Sequence, residues 1–419
     1  MAIPEGIQVR SLGEILLSVE GGVSVNSESR LVRTGELGVL MTSAVTYGVF
    51  DPTAHKAVIP DDIERARRPV RAGTVLFSRM NTPHLVGATV FVDRDFPFLF
   101  LPDRLWELVP RESVNARWLS FVLSDSQTRR VLSELASGTS GSMKNISKEK
   151  LLSVSIRVPP LPEQKKIATI LSSVDETIAK TESVIAQLQI VKKAMMEQLL
   201  TKGMPGRHTR FKQTEIGEIP EEWEVVRLGD VCDTRSGGTP DRQRSEYWNG
   251  PIPWVKTGEV NYAEIYSTEE FISEAGLRNS AAQLFPIGTV LMAMYGQGAT
   301  RGRVAILGIS AATNQACLGL FVSSSLSSSY LYQWLKSQYE TLRSIGNEGS
   351  QKNLNAALIR DLRIPLPPKE EQLAIAKCVA SLDQRELTEE TTRCHLQNLK
   401  SALSSSLLSG EIRVVPGGA

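Results

Sequence analysis

Between Pro162 and Gly203 the chain contains no glycine or proline, and its apolar residues fall in steps of three and four: Ile167, Leu171, Val174, Ile178, Ile185, Leu188, Met195 and Leu199. That spacing predicts one long amphipathic helix with a narrow apolar stripe, the seam of a coiled coil. Thr181 and Lys192 interrupt the stripe, and Gly203 with Pro205 supplies the stop. At ~1.5 Å per residue such a helix is roughly 60 Å long. A second helix is predicted from about Lys369 to Ser409, with Ile375, Val379 and Leu382 at its start and Leu396, Leu403 and Leu407 at its end. Its middle places Glu386, Glu389 and Arg393 where apolar residues are expected. Either the stripe slips onto Leu387 and Cys394 there, or the stretch is solvated.

Elsewhere the pattern is different. "AGTVLFSRM", "ATVFVDRDFPFLF" and "LWELV" in the first half, and "IGTVLMAMYG", "RVAILG" and "CLGLFV" in the second, are short Val-, Phe- and Leu-rich runs broken by Gly, Pro and Asp. These are strand signals. Helical patterns follow them, at "ARWLSFVLSDSQTRRVLSEL" and "SSYLYQWLKSQYETLRSI". The fold class is therefore α+β, with two β-rich domains and two long helices.

The halves are copies. "VPPLPEQKKIATILSSVD" from Val158 answers "LPPKEEQLAIAKCVASLD" from Leu366 at a constant offset of 208, which holds for Pro159 and Pro367, Glu163 and Glu371, Gln164 and Gln372, and Asp175 and Asp383. "SMKNI" and "SQKNL" keep it, at 142 and 350. Upstream the offset drifts: Ile3 answers Ile219 at 216, and the two "GTVL" stretches, at 73 and 288, differ by 215. Drifting offsets mean insertions in loops. A length-variable β-rich segment alternates with a length-fixed helix. Neither helix buries a narrow stripe alone, so the predicted arrangement is a pseudo-twofold antiparallel pair.

Composition narrows the class. The 419 residues imply at least two domains, and no apolar run approaches the roughly 18–20 residues of a membrane span. Cys232, Cys317, Cys378 and Cys394 form no C-x-x-C pair, which fits a reducing cytoplasm. A formal charge of +1 neither favours nor excludes nucleic acid. Dinucleotide and phosphate-loop fingerprints, H-E-x-x-H and G-x-S-x-G are all absent. His55, His84, His208 and His395 are scattered, and Asp61-Asp62 and Asp241 with Glu246 lack a lysine at useful spacing, so they are expected to be turn residues. No metal site is expected. The pattern is that of a binder rather than a catalyst.

The polar candidates lie in loops of the β-rich segments. Arg79, Asn81 and His84 follow one strand, and Gln297, Arg301 and Arg303 hold the matching place in the second copy. Arg reads guanine bidentately, and Asn and Gln read adenine. Lys144-Asn145 and Lys352-Asn353 follow Gly-Ser turns and, with Lys256, are candidate phosphate contacts.

The ordered set "WEVVRLGDV", "WVKTGEV", "YGQGATRGRVAIL", "AATNQACLGLF", "GSQKNL" and "IPLPPKEEQLAIA", with the first-copy forms "VLFSRMNTPHLVG" and "RVPPLPEQKKIATIL", resembles the specificity subunit of type I restriction–modification systems. The likeness runs from Ile3 to about Val414. It implies a target recognition domain at 1–158, a central conserved helix at 159–205, a second recognition domain at 206–366 with a linker to about 218, a C-terminal conserved helix at 367–410, and a tail at 411–419. It further implies that each domain reads one half of a split, asymmetric target on double-stranded DNA. The helices would set the gap and dock two methyltransferase subunits, and restriction subunits would join that core. S-adenosylmethionine, ATP and Mg²⁺ would belong to those partners. "MNTPHLVG" replaces "YGQGATRG" in the first copy, so the halves are expected to read different bases. Two rivals are a solitary methyltransferase-only specificity protein and a coiled-coil scaffold that ignores DNA. An autonomous DNA-cutting or -methylating enzyme would need motifs the chain lacks.

Overall fold

The computed structural model describes residues 6–46, 48–138, 143–296, 299–344 and 353–414. The chain forms two compact units, residues 1–182 with 391–419, and residues 183–390. These differ from the segments drawn from the sequence, because each unit takes part of both long helices.

In the first unit an antiparallel sheet runs in the order Thr89–Phe91, Val75–Ser78, Leu105–Pro110, Leu16–Gly21. Helix α1, Ala116–Ser124, packs its Trp118, Leu119, Val122 and Leu123 into the core beneath it. The strand Gln8–Ser11 pairs with Ser155–Val158, so the β-rich domain begins and ends side by side. Helix α2, Leu161–Lys202, follows at once. A second, five-stranded sheet carries the inserted strands from Ser27 to Phe100.

The second unit repeats the plan. Its sheet runs Val304–Leu307, Val290–Ala293, Cys317–Val322, Cys232–Ser236, and adds Glu264–Ile265 in parallel beyond Val304–Leu307. Helix α3, Ser328–Ser337, buries Tyr330, Leu331, Trp334 and Leu335. Glu224–Arg227 pairs with Arg363–Leu366, and helix α4, Lys369–Ser409, follows. The predicted runs become central strands buried on both faces: Val75 and Phe77 face one core and Leu76 another, and in the second copy Val290 and Met292 face one core and Leu291 and Ala293 another.

The long helices run antiparallel. In the first unit Lys400 meets Asp175 at 2.5 Å, and Arg413, just past α4, grips Glu163 near the start of α2. In the second unit Cys378 lies 3.7 Å from Met195, and Lys192 meets Asp383 at 2.6 Å and Glu386 at 2.7 Å. Seam residues at the helix ends do more than pair helices. Ile167, Leu171 and Leu407 belong to the core of the first domain, and Leu199, Leu200, Ile375 and Val379 to that of the second. Ile185 is buried, while Val174, Ile178, Leu188, Leu382, Leu396 and Leu403 are half-buried along the stripe.

The charged middle of α4 stays in phase. Leu387 is 60% exposed and Cys394 is exposed, whereas the Glu386 and Glu389 side chains retain only 20% and 16%. Of the two alternatives left open by the sequence, the slip onto Leu387 and Cys394 does not occur, and Glu386 and Glu389 are not fully solvated either. Lys192 explains why: the seam lysine of one helix satisfies the seam glutamate of the other, so neither needs to leave the stripe. Thr181 is likewise buried, its hydroxyl returned to the Thr177 carbonyl.

Each domain is tied to the start of its own long helix by the same glutamine. The Gln164 Oε1 accepts from Asn115 N at 2.8 Å, and its Nε2 donates to the carbonyls of Pro159 (2.8 Å) and Ser113 (3.3 Å). Gln372 does the same with Ser327 N (2.7 Å), Pro367 (2.8 Å) and Ser325 (2.9 Å). The preceding glutamates hold the segment that follows the opposite helix. Glu163 takes Arg413 bidentately and Val414 N. Glu371 takes Met204 N at 3.1 Å, the His208 ring at 2.9 Å and the Trp223 indole at 3.1 Å. Gly203, at φ +77°, ends α2; a Cβ there would lie 2.7 Å from the Glu371 carboxylate, so glycine is required twice over.

Burial pushes the Glu371 carboxyl up, but the hydrogen bonds from Met204, His208 and Trp223 outweigh it and hold the group below its ordinary 4.5. Its stabilisation is complete above pH 4.5 and is lost as pH falls through the lowered value. Calorimetry from neutral pH to below that point should show a steeper acid loss of Tm in the wild type than in Glu371→Gln. Glu371→Ala should cost about 3 kcal/mol at neutral pH, because the buried Trp223 indole and the half-buried Met204 and His208 donors lose their acceptor.

Candidate nucleic-acid interface

In the first domain the structure brings the sequence-predicted residues together. Met80–Asn81 pairs antiparallel with Lys144–Asn145, and Ile146 N donates to the Arg79 carbonyl at 2.9 Å. The loop after the strand Val75–Ser78 is thus braced by a segment about sixty positions later in the chain. Arg79 is half-buried: its Nε donates to the Asp103 carbonyl at 2.9 Å and its guanidinium lies 5.5 Å over Trp106. Asn81 is buried, with Nδ2 on Ser78 Oγ and Oδ1 on Thr82 N, so its polar atoms shape the turn. His84 is exposed at the tip, where its carbonyl accepts from Arg129. Lys144 reaches the Gly138 carbonyl at 3.1 Å, and the buried Oδ1 of Asn145 has no partner.

The second domain repeats the brace through Leu354 N to the Met294 carbonyl, 3.2 Å, with Asn353 half-buried beside it. Gln297 and Lys352 lie outside the described residues. Arg301 donates to the Arg343 carbonyl at 3.0 Å, and Arg303 donates to Asn261 Oδ1 at 2.7 Å. The buried Nε of each is without a partner. One terminal nitrogen anchors each guanidinium within the protein and its Nε is buried, which leaves the other terminal nitrogen to meet a ligand. Lys256 is different. Its ammonium meets Glu269 at 2.6 Å and Glu270 at 3.3 Å, and these hold it above its ordinary pKa. A phosphate there would have to displace two carboxylates.

Sequence reasoning missed Arg242. Its guanidinium lies 3.9 Å over Trp248 and 5.0 Å from Trp254, and it is paired with Glu270. The signal was an Arg followed by two tryptophans six residues apart. Among the described residues no group of three or more His, Cys, Asp or Glu is placed to hold a metal ion, and no helix is long and apolar enough to cross a membrane.

Two copies of one β-rich domain, each presenting braced polar loops and each fixed to one of two antiparallel helices, define a duplicated recognition protein without a catalytic constellation among its described residues. The comparisons say which one. The family described as type I restriction modification DNA specificity domain matches residues 4–189 and again 220–396, and the chain belongs to it. A putative type I restriction enzyme MjaX specificity subunit from Methanocaldococcus jannaschii is 27% identical over 98% of this chain and 95% of its own. The MjaVIII specificity subunit of the same organism is 31% identical over 67% of each chain. The HindI specificity subunit of Haemophilus influenzae is 22% identical over 83% of this chain and 88% of its own. Among solved structures, the S subunit from M. genitalium superimposes with a TM-score of 0.63 at 14% identity, over 97% of this chain and 98% of its own. A chain of a type I R-M assembly does so at 0.57 and 17%, over 98% and 100%. The chain therefore has the DNA sequence-specificity role in a type I restriction–modification system.

The geometry separates the two kinds of cation. Arg303→Met should weaken duplex binding about tenfold and flatten its salt dependence. Lys256→Met should change affinity less than about twofold, because its charge is already met within the protein. Fluorescence anisotropy of the assembled complex at two salt concentrations distinguishes them.

Proposed function

We propose that each recognition domain reads one half of a bipartite, asymmetric DNA target, and that α2 and α4 set the unread gap between the halves and dock two methyltransferase subunits. The chain itself does no chemistry. Methyl transfer with S-adenosylmethionine, and ATP- and Mg²⁺-dependent translocation and cleavage, take place on the methyltransferase and restriction subunits, in the cytoplasm. The observation that carries this reading is the duplicated glutamine clamp. Gln164 and Gln372 fix each domain to its helix through the same three-point pattern, so the orientation of a reading surface is coupled to a rod of constant length. Base-reading loops vary between the copies, and the clamp does not. Among the candidate contacts, Arg301 and Arg303 in the second domain and His84 with Lys144 in the first are the groups best placed to meet DNA. Asn81 and Arg79 support them from behind.

Lengthening both helices by four residues, after Ile185 in α2 and after Glu390 in α4, keeps the pairing of Lys192 with Asp383 and of Lys400 with Asp175. It adds about 6 Å of helix, or about two base pairs of duplex at ~3.4 Å each. Methylome sequencing of cells carrying this variant and its methyltransferase should return the original half-sites with a longer gap. New half-sites with the old gap would sink the spacer role. Exchanging residues 216–365 for the matching segment of a homologue should change one half-site alone.

A further inference from the structure

One turn of the second domain carries a polar side chain that neither the core nor the braced loops use. Ala293 pairs with Cys317 on one side and donates its N–H to the Arg303 carbonyl on the other. Ser236, the last residue of its strand, pairs with Leu318. The loops that begin after Ser236 and Ala293, the turn before Cys317, and Arg303 therefore share one end of the sheet. In that turn Thr313 is fully buried, Asn314 Oδ1 accepts from Thr257 Oγ1 at 2.9 Å, and the Ala316 carbonyl accepts from Met294 N at 2.8 Å. Gln315 is left exposed. Thr239 Oγ1 donates to its Oε1, and its Nε2 has no partner among the described residues. Thr239 reaches it because the chain before it lies flat on the turn. Gly237 N donates to the Cys317 carbonyl at 3.2 Å and Gly238 N to that of Thr313 at 2.8 Å, and a Cβ on Gly237 would overlap the Asn314 carbonyl.

In the first domain the same place is Asp103. Ser78 pairs with Leu105 as Ala293 pairs with Cys317, and Arg79 N donates to the Arg104 carbonyl as Met294 N donates to that of Ala316. Asp103 is occupied: its carbonyl takes Arg79 Nε at 2.9 Å and its carboxylate lies 3.9 Å from the same guanidinium. In the second domain Met294 stands where Arg79 does and is buried in the core. Gln315 is held by a hydroxyl instead, and its amide has a direction. Bidentate reading of adenine uses the acceptor and the donor of an amide together. Here the oxygen is turned inward to Thr239, and the group presented to solvent is the NH₂ donor. The acceptors that a duplex offers at every step, whatever its sequence, are phosphate oxygens.

We propose that Gln315 donates to a phosphate oxygen of the second half-site and so fixes the register of that domain on the duplex without reading a base. Thr239 is the positioning residue that aims it. The proposal rests on the recognition reading above for its partner, DNA, and adds a neutral, sequence-independent contact beside the cationic Arg303. A hydrogen bond from an uncharged amide displaces no counterion, so it strengthens binding without steepening the salt dependence.

The test separates a phosphate contact from a base contact. Complexes assembled with the methyltransferase subunit are titrated by fluorescence anisotropy, over a range of salt, with two duplexes: the target found by methylome sequencing, and the same duplex with its second half-site scrambled. Gln315→Ala should weaken both by the same factor, about tenfold, with the salt slope, the Tm and the methylated sequence unchanged. Thr239→Val should weaken both about threefold, and Thr239→Ser should bind as the wild type. Gln315→Lys should recover the lost affinity at low salt and steepen the log–log salt slope by ~0.9, the signature of one phosphate contact. With the wild type binding its target, unaltered affinity in Gln315→Ala overturns the proposal and leaves the recognition reading standing. A changed or relaxed base in the second half-site of Gln315→Ala would make Gln315 a base reader and also overturns it. A wild-type complex that binds neither duplex overturns the recognition reading itself, and this proposal with it.

Discussion

A buried glutamine at the start of each long helix decides how everything else is placed. Gln164 and Gln372 are at most 1% exposed, and each joins three backbone groups: the cap of the domain's helix, the loop before it and the proline turn into the long helix. A buried carboxamide left unpaired costs on the order of 1–3 kcal/mol per group, so the clamp is favourable only in this arrangement. It converts a flexible junction into a fixed angle. The glutamate before it ties in the segment leaving the other helix, so the same turn receives both ends of the helical pair within its unit.

Much of this was legible in the sequence, and for a physical reason. The offset of 208 is constant where the chain is clamped and helical, because one inserted residue would rotate every following side chain by about 100° around a helix. Strand runs, helix ends at Gly203 and Gly410, and the duplication were readable for the same reason: they rest on local periodicity and backbone chemistry. The partner each side chain takes was not readable. Asn81 resembles a base-reading residue in sequence, yet it closes its own turn; Lys256 resembles a phosphate contact, yet it faces Glu269 and Glu270. The partners of Lys256 lie on a strand and loop thirteen and fourteen positions on, where no spacing rule relates them, and those of Asn81 are immediate neighbours whose bonds follow from the turn the backbone takes. The units also cut across the sequence-drawn domains, because the stripe residues at the helix ends complete the β-rich cores, and a 3.6-residue pattern records that a face is buried without recording what covers it.

The polar centre of the seam follows from what a single alignment of two helices requires. An all-leucine stripe would bury more apolar surface, but it repeats, and two such helices can slide by a turn at small cost. A charge in the seam removes that freedom: shifting α4 along α2 by one turn would part Lys192 from Asp383 and Glu386 in one unit, and Lys400 from Asp175 in the other. Breaking a half-buried pair of this kind costs more than the roughly 0–1 kcal/mol of an exposed pair and less than the roughly 3–5 kcal/mol of a fully buried one, whereas the right alignment satisfies all of them together. Polar residues in a seam fix register at the expense of stability. Under the spacer role proposed above, register is the quantity to be held. Lys192 with Asp383 and Glu386 is therefore what holds the two helices in one alignment within its unit, while Thr181 and Glu389 are satisfied along their own helices.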